Sequence, residues 1–287
     1  MKKILVVPLI AALVLTLFAW PASRVGPREL PVGVVGPTAP RIEGVEFRRY
    51  ASAAQARAAI EDREIYGALT SDKVLVATAA SPVAAQALTH GATKPVEDVV
   101  AAPREANGLA ASVLPLVLAG ILTGVLAAKA RRRVAALFAG AVLAGTAGAL
   151  VIDSWLGVVE GDFAANAAAL SLTVLAIGSL VAGLYALAGH KGAALGALTM
   201  VFVGNPLSGV ATGPDMIPGG ALGQLLPPGA GGSLLRSTGF FDGAAAGEHI
   251  AVLAAYVVIG LALLASRQVM NLLKPVDRRV DPLHARL

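Results

Sequence analysis

Between residues 109 and 266 the chain is a succession of long apolar runs joined by short connections, and this alternation constrains its fold more than any other feature. The run 109–128 carries no charged residue. As a helix, 20 such residues rise about 30 Å, the thickness of a bilayer's hydrocarbon core. Comparable runs occupy 134–153, 164–188 and 248–266, and a shorter one leads from 192 to Asn205. Near the start, Met1-Lys2-Lys3 precedes the apolar run 4–20, which reads as an uncleaved signal anchor. A cleaved signal peptide is the competing reading, but Trp20 and Pro21 interrupt the small-x-small site around Ala19 and Ala22. With 56% hydrophobic and 14% charged residues, the composition is that of an integral membrane protein.

Residues 21–107 differ in character. They hold ten basic and ten acidic residues and no run long enough to cross a bilayer. LPVGVVG and GVEFRRY read as strands, and Ser52-Ala-Ala-Gln55 is a capping box opening a helix to about Glu64, with Ala56, Ala59 and Ile60 on one face. IYGALT and KVLVATA read as paired strands around Ser71-Asp72. Ser81-Pro82 then starts a second helix that Gly91 ends. The expected fold class is therefore an all-α polytopic membrane protein of six transmembrane helices, carrying a small extracytoplasmic α/β domain between the first and second. Its segments are a first helix at 1–20, the α/β domain at 21–107, a five-helix membrane part at 108–266 and a basic tail at 267–287.

Orientation follows from charge. The amino terminus, KARRR at 129–133, the His190-Lys191 turn and the tail hold twelve basic residues against two acidic ones. The connections 154–163 and 205–247 together hold one basic residue, Arg236. The positive-inside rule then puts both termini in the cytoplasm, with the α/β domain and the 205–247 region outside. The net charge of +5 resides in these topogenic segments, so no nucleic-acid partner is expected.

No catalytic motif emerges. Phosphate-binding, dinucleotide, zinc-protease and Gly-x-Ser-x-Gly patterns are all missing, and without cysteine there is no thiolate metal site or nucleophile. The reading is of a non-enzyme with no cofactor and no bound metal. Asp153 and Glu248 close and open apolar runs, where solvated helix ends explain them more simply than a cation or proton site. Gly120, Gly124 and Ala128, then Gly140, Ala144 and Gly148, recur at four-residue spacing, as in a subunit interface or in close packing within one bundle. Lys129, Arg131, Arg132 and Arg133 set topology and are placed to meet a cytoplasmic partner or anionic lipid.

The most unusual stretch is 203–241, where five prolines and many glycines lie between apolar runs. It cannot form one continuous lipid-facing helix. Short helices are expected at 219–226 and 232–241, separated by Pro227-Pro228-Gly229, with Arg236 facing an outer vestibule or an anionic headgroup. Counting about 20 Å of rise from 192 to 205 puts Asn205-Pro206 in the outer leaflet. Leu222, Leu225, Phe240 and Phe241 suit re-entrant helices better than a solvated loop.

With RRYASAAQARAAIEDREIYGALT in the domain, NPLSG at 205–209 and LLPPGAGGSLLRSTGFFDG before the last run, the chain resembles the membrane subunits of type 2 ABC exporters, in the branch of the phage infection protein family. The resemblance implies a permease fold that moves an amphiphilic or hydrophobic substrate outward with a separate ATPase, in a homodimer or a heterodimer with a similar permease. The implied location is the bacterial inner membrane, with membrane lipids as further partners. It also implies an outer gate at Asn205, Pro206, Ser208 and Gly209, with Pro227, Pro228 and Arg236 shaping the re-entrant segment and the KARRR cluster coupling to the ATPase or to lipid. The alternative expectation is a non-transporting membrane-anchored interaction or receptor protein acting through its α/β domain.

Overall fold

A computed structural model describes residues 6–37 and 39–272, so Met1-Lys2-Lys3 and the tail from 273 onward lie outside the described residues. Helix α1, Val6–Ala22, presents almost all of its apolar side chains outward. It touches the rest of the molecule through an edge-to-face contact between Phe18 and Phe202.

A five-stranded sheet follows, in the order β2-β1-β3-β4-β5, built from β1 Leu30–Val35, β2 Val45–Tyr50, β3 Gly67–Leu69, β4 Val74–Val76 and β5 Val96–Asp98. All neighbours are parallel except the β3–β4 hairpin. The two strands expected around Ser71-Asp72 form this hairpin, shortened to three residues each. Strand β5 is an addition: its alternation is too brief to read in sequence.

Helix α2, Ala53–Glu61, begins as its capping box predicts, with the Gln55 amide donating to Ser52 Oγ at 3.2 Å and Gln55 Oε1 accepting from the Ala51 amide at 3.1 Å. Its Ala56, Ala59 and Ile60 pack on Ile65, Ala68 and Leu75. Helix α3, Pro82–Thr89, starts at the Ser81 cap and covers the opposite face, where Ala84 meets Leu30 and Val32.

Beyond the sheet the chain is helical: α4 Gly108–Lys129, α5 Arg133–Ala149 extended by a π-helical stretch Leu150–Trp155, α6 Phe163–Ala188, α7 His190–Thr199 extended by a π-helical stretch Met200–Gly204, α8 Gly220–Gln224, α9 Pro227–Phe240 and α10 Ala246–Leu272. Among the described residues four helical stretches, Arg104–Lys129, Arg133–Trp155, Phe163–Ala188 and Ala246–Ser266, are long and apolar enough to cross a membrane. The molecule is thus mostly helical and polytopic. The expected first and fifth crossings are the exceptions. Helix α1 has 17 described residues, and α7 with its π stretch has 10 and 5, against the roughly 20 that a full crossing takes.

Helix α6 is the axis of the bundle. Gly124 lets α4 approach the Gly178 backbone, Gly120 packs on Ile177, and Gly260 of α10 abuts the Ser179 backbone. The four-residue glycine spacing of α4 is therefore used inside this chain, in contact with α6.

Candidate functional site

The region between α7 and α10 is held in place from three sides. The π stretch of α7 ends where the Asn205 amide donates to Met200 O at 3.0 Å, after which Pro206 offers no amide. Gly209 and Gly213 then adopt left-handed φ values of 67° and 91°. At Gly209 the Pro214 backbone also comes too close for any side chain. Leu226 is extended and acts as N-cap, so Pro227 and Pro228 become the first two residues of α9. This corrects the expectation of a helix starting at 232 after a proline separator. A first-turn amide has no intrahelical partner to lose, so proline starts a helix there without penalty. Similarly, the first short helix is only Gly220–Gln224.

Helix α9 is enclosed by protein along nearly its whole length, from Pro227 to Gly239. Its glycines make that possible: Gly231 lies against Thr173, Gly232 against Val210 and Gly239 against Val159, while the Pro228 ring fills the space beside Gly204. Thr173 is ten residues along α6 from Phe163, about 15 Å below that end and about 22 Å from the other. The broken ends of α7 and α9 therefore meet inside the bundle, nearer the end that carries the sheet.

Above α9 the sheet is clamped from both faces. Met216, in the turn after Pro214, joins the cluster of Leu30, Val32 and Ala84, and Phe241, just past α9, joins the cluster of Ala56, Ile60 and Leu75. Backbone bonds reinforce the first anchor, from the Gly26 amide to Met216 O at 2.9 Å and from the Arg28 amide to Asp215 O at 2.8 Å. Ser81 Oγ, besides capping α3, donates to Thr212 O. At the second anchor Arg63, held at a left-handed φ of 62°, donates to Ser233 O at 3.0 Å and to Ser237 Oγ, with its guanidinium 5.3 Å from the Phe241 ring centroid. Burial lowers the Arg63 guanidinium's pKa below its ordinary value. Burial raises the pKa values of Tyr66 and Asp215 above their usual ranges, and the proximity of the Tyr66 hydroxyl to Asp215 opposes the shift of the acid.

Beneath this clamp lies a cleft of about 340 Å³, lined by Phe18 and Pro21 of α1, Val113 of α4, and Asn205, Pro206, Ser208 and Gly209. The four expected gate residues thus share one wall. Pro227, Pro228 and Arg236 do not line it. Arg236 is 4% exposed and donates from Nη2 to Val210 O at 2.8 Å, and its buried Nε–H has no partner among the described residues. It therefore faces neither an outer vestibule nor a headgroup: a guanidinium on a helix enclosed on all sides finds a backbone carbonyl instead. Lys129 closes α4, Arg133 opens α5, and Arg131 and Arg132 lie exposed in the turn between them, at the end of α4 away from the sheet. Asp153 accepts from Asn166 Nδ2 at 2.9 Å, and Asn166 Oδ1 accepts from Thr238 Oγ1 at 2.8 Å, so this acid ties the α5–α6 connection to α6, while Thr238 brings in α9.

Met216, Phe241, Arg63 and Tyr66 were not singled out as functional from sequence. Asp215 had a signal, because it is the one acid in the 203–241 stretch. No protein-family model, curated protein or solved structure matches the chain.

Proposed function

We propose that the chain is a permease-like subunit of a type 2 ABC exporter that moves an amphiphilic or hydrophobic substrate outward, with a separate ATPase supplying the energy. In this reading α1 and α7 complete a six-helix membrane part in the bacterial inner membrane, both termini are cytoplasmic, and the sheet domain is extracytoplasmic. The protein works as a homodimer or beside a similar permease. The observation that carries the reading is the cleft between α1 and the broken end of α7, roofed by a domain clamped to the α8–α9 hairpin. Non-helical backbone at membrane depth is tolerated where protein buries it or a cavity is lined by it; in 205–212 the residues 208–210 are buried and most of the stretch lines the cleft. A lightly packed α1 leaves the cleft accessible sideways from the lipid. The clamp also weighs against an independently acting receptor domain, because Met216 and Phe241 make the membrane region part of the domain's own core.

The test is reconstitution. The protein is isolated under mild crosslinking, any ATPase that accompanies it is incorporated with it into vesicles, and ATP-dependent movement of a fluorescent phospholipid analogue is followed. Movement that is lost on Pro206→Ala and Pro228→Ala, with membrane insertion unchanged, supports the gate. An absence of any accompanying ATPase sinks the exporter reading.

A further inference from the structure

A second cleft, of about 580 Å³, opens on the other side of Ile217, and that residue lines both. The two differ sharply in chemistry. Phe18, Pro21, Val25 and Val113 make the first largely apolar, whereas the second presents Arg28, Glu29, Glu46, Arg48 and Asp215. One chain segment serves both, because residues 18–25 border the apolar cleft and residues 28–31 the charged one. Trp20, within the segment that borders the apolar cleft, is exposed, as are Leu222 of the adjoining α8 and Leu225 just after it. Aromatic and apolar side chains exposed at the end of a membrane helix mark headgroup depth.

We infer that the paired clefts bind one zwitterionic phospholipid, its acyl chain against α1 and α4 and its headgroup among Arg28, Arg48, Glu29 and Asp215. The inference rests on the lateral opening of the cleft described above, not on transport itself. Both volumes fall in the range of small-molecule sites. Among the described residues Arg28, Glu29 and Asp215 have no salt-bridge partner, while Arg48 pairs with Glu46 at 3.2 Å. Arg28 donates to Arg24 O at 3.2 Å and Arg48 to Glu64 O at 3.0 Å, neutral partners that leave charges of both signs for a ligand that carries both. Guanidiniums match a phosphodiester, and carboxylates match an ammonium. Two guanidiniums against three carboxylates disfavour a headgroup with net negative charge, which separates a zwitterion from an anionic lipid. Glu29 is held at a left-handed φ of 55°, uncommon for a side-chain-bearing residue, at the rim of this seat.

The purified full chain, delipidated in detergent, is offered equal amounts of phosphatidylethanolamine and phosphatidylglycerol of matched chains, and retained lipid is quantified by mass spectrometry. Phosphatidylethanolamine is expected to be retained about tenfold better. Glu29→Gln should erase that preference and Arg28→Ala should weaken retention. Both side chains are exposed, so these variants keep the fold. Ala110→Trp, which narrows the apolar cleft, should lower retention of both lipids alike. Equal retention of the two lipids, unchanged by Arg28→Ala, overturns the site. Displacement of bound lipid by glycerophosphoethanolamine at equal concentration overturns the lipid assignment in favour of a soluble ligand. Retention of phosphatidylethanolamine without ATP-dependent movement would refute the exporter reading and leave this site standing.

Discussion

Helices α6 and α10 have almost the same mean hydropathy in their most apolar stretches, 2.1 and 2.2, yet 72% of that stretch is buried in α6 and 17% in α10. Hydropathy measures compatibility with an apolar surrounding and does not distinguish lipid from protein. What separates the two helices is the pattern of small and polar residues. Asn166, Thr173 and Ser179 of α6 are all enclosed, and Gly178 and Gly183 admit neighbouring backbones, whereas α10 contributes one close-packed seam around Leu253 and Gly260. Without a hydrophobic force between helices in lipid, such close packing is the chief source of cohesion.

That seam offers the strongest way to break the comparison. Leu253, fully buried on α10, packs with Ala169, Ala176, Ala230 and Leu234. Leu253→Ala is expected to cost about 2 kcal/mol or more, mostly as a cavity term, since the side chain leaves one apolar surrounding for another. Reversible unfolding in mixed micelles would measure it, and a change indistinguishable from zero would mean that α10 does not pack as described. Gly260→Leu comes next. Any Cβ at Gly260 collides with the Ser179 carbonyl, and relieving it separates α10 from α6 at about 1–3 kcal/mol. Crosslinking between cysteines introduced on the two helices should fall in parallel.

Local signals in the sequence were read well, and long-range ones were not. The Ser52–Gln55 box and the Ser81-Pro82 start each specify a helix end within four residues, and both ends lie where those residues require. Pro227-Pro228 misled because two prolines interrupt a helix interior but open a helix equally well, and only Leu226 in an extended conformation decides between them. Asn205, Pro206, Ser208 and Gly209, which line one cleft, were recognisable as a unit because they fall within five consecutive positions. The clamp through Met216 and Phe241 was not, since nothing near either residue encodes a contact made more than a hundred residues away in the chain.

The clamp also governs the α6 side of the comparison, because α9 completes the enclosure of α6 and is itself held from above. Asp215 provides a pH handle on it. Burial raises its pKa above 3.8, with Tyr66 and Arg48 opposing the shift and Glu29 adding to it. The folded state thus prefers the protonated acid, so its contribution is fully present below the unfolded value and is lost as pH rises through the raised one. Thermal unfolding followed as pH rises from the ordinary carboxylate range should show this loss, and Asp215→Asn should flatten it. An identical pH slope in the variant would assign the titration to another group.

The smallest effect is expected on the outer face of α10, where Val258 is 65% exposed and Ile259 50%. If lipid alone covers this face, Val258→Ala trades a lipid-facing methyl pair for lipid and changes stability by no more than about 0.5 kcal/mol. The same substitution becomes informative if the protein pairs with a second copy of itself through α10. Side-chain volume lost from a helix–helix interface leaves a cavity, so the cost would rise toward that of Leu253→Ala and would grow with dilution in detergent. Measuring Val258→Ala at two protein-to-detergent ratios therefore separates a lipid-covered α10 from one whose low burial reflects only the absence of its partner.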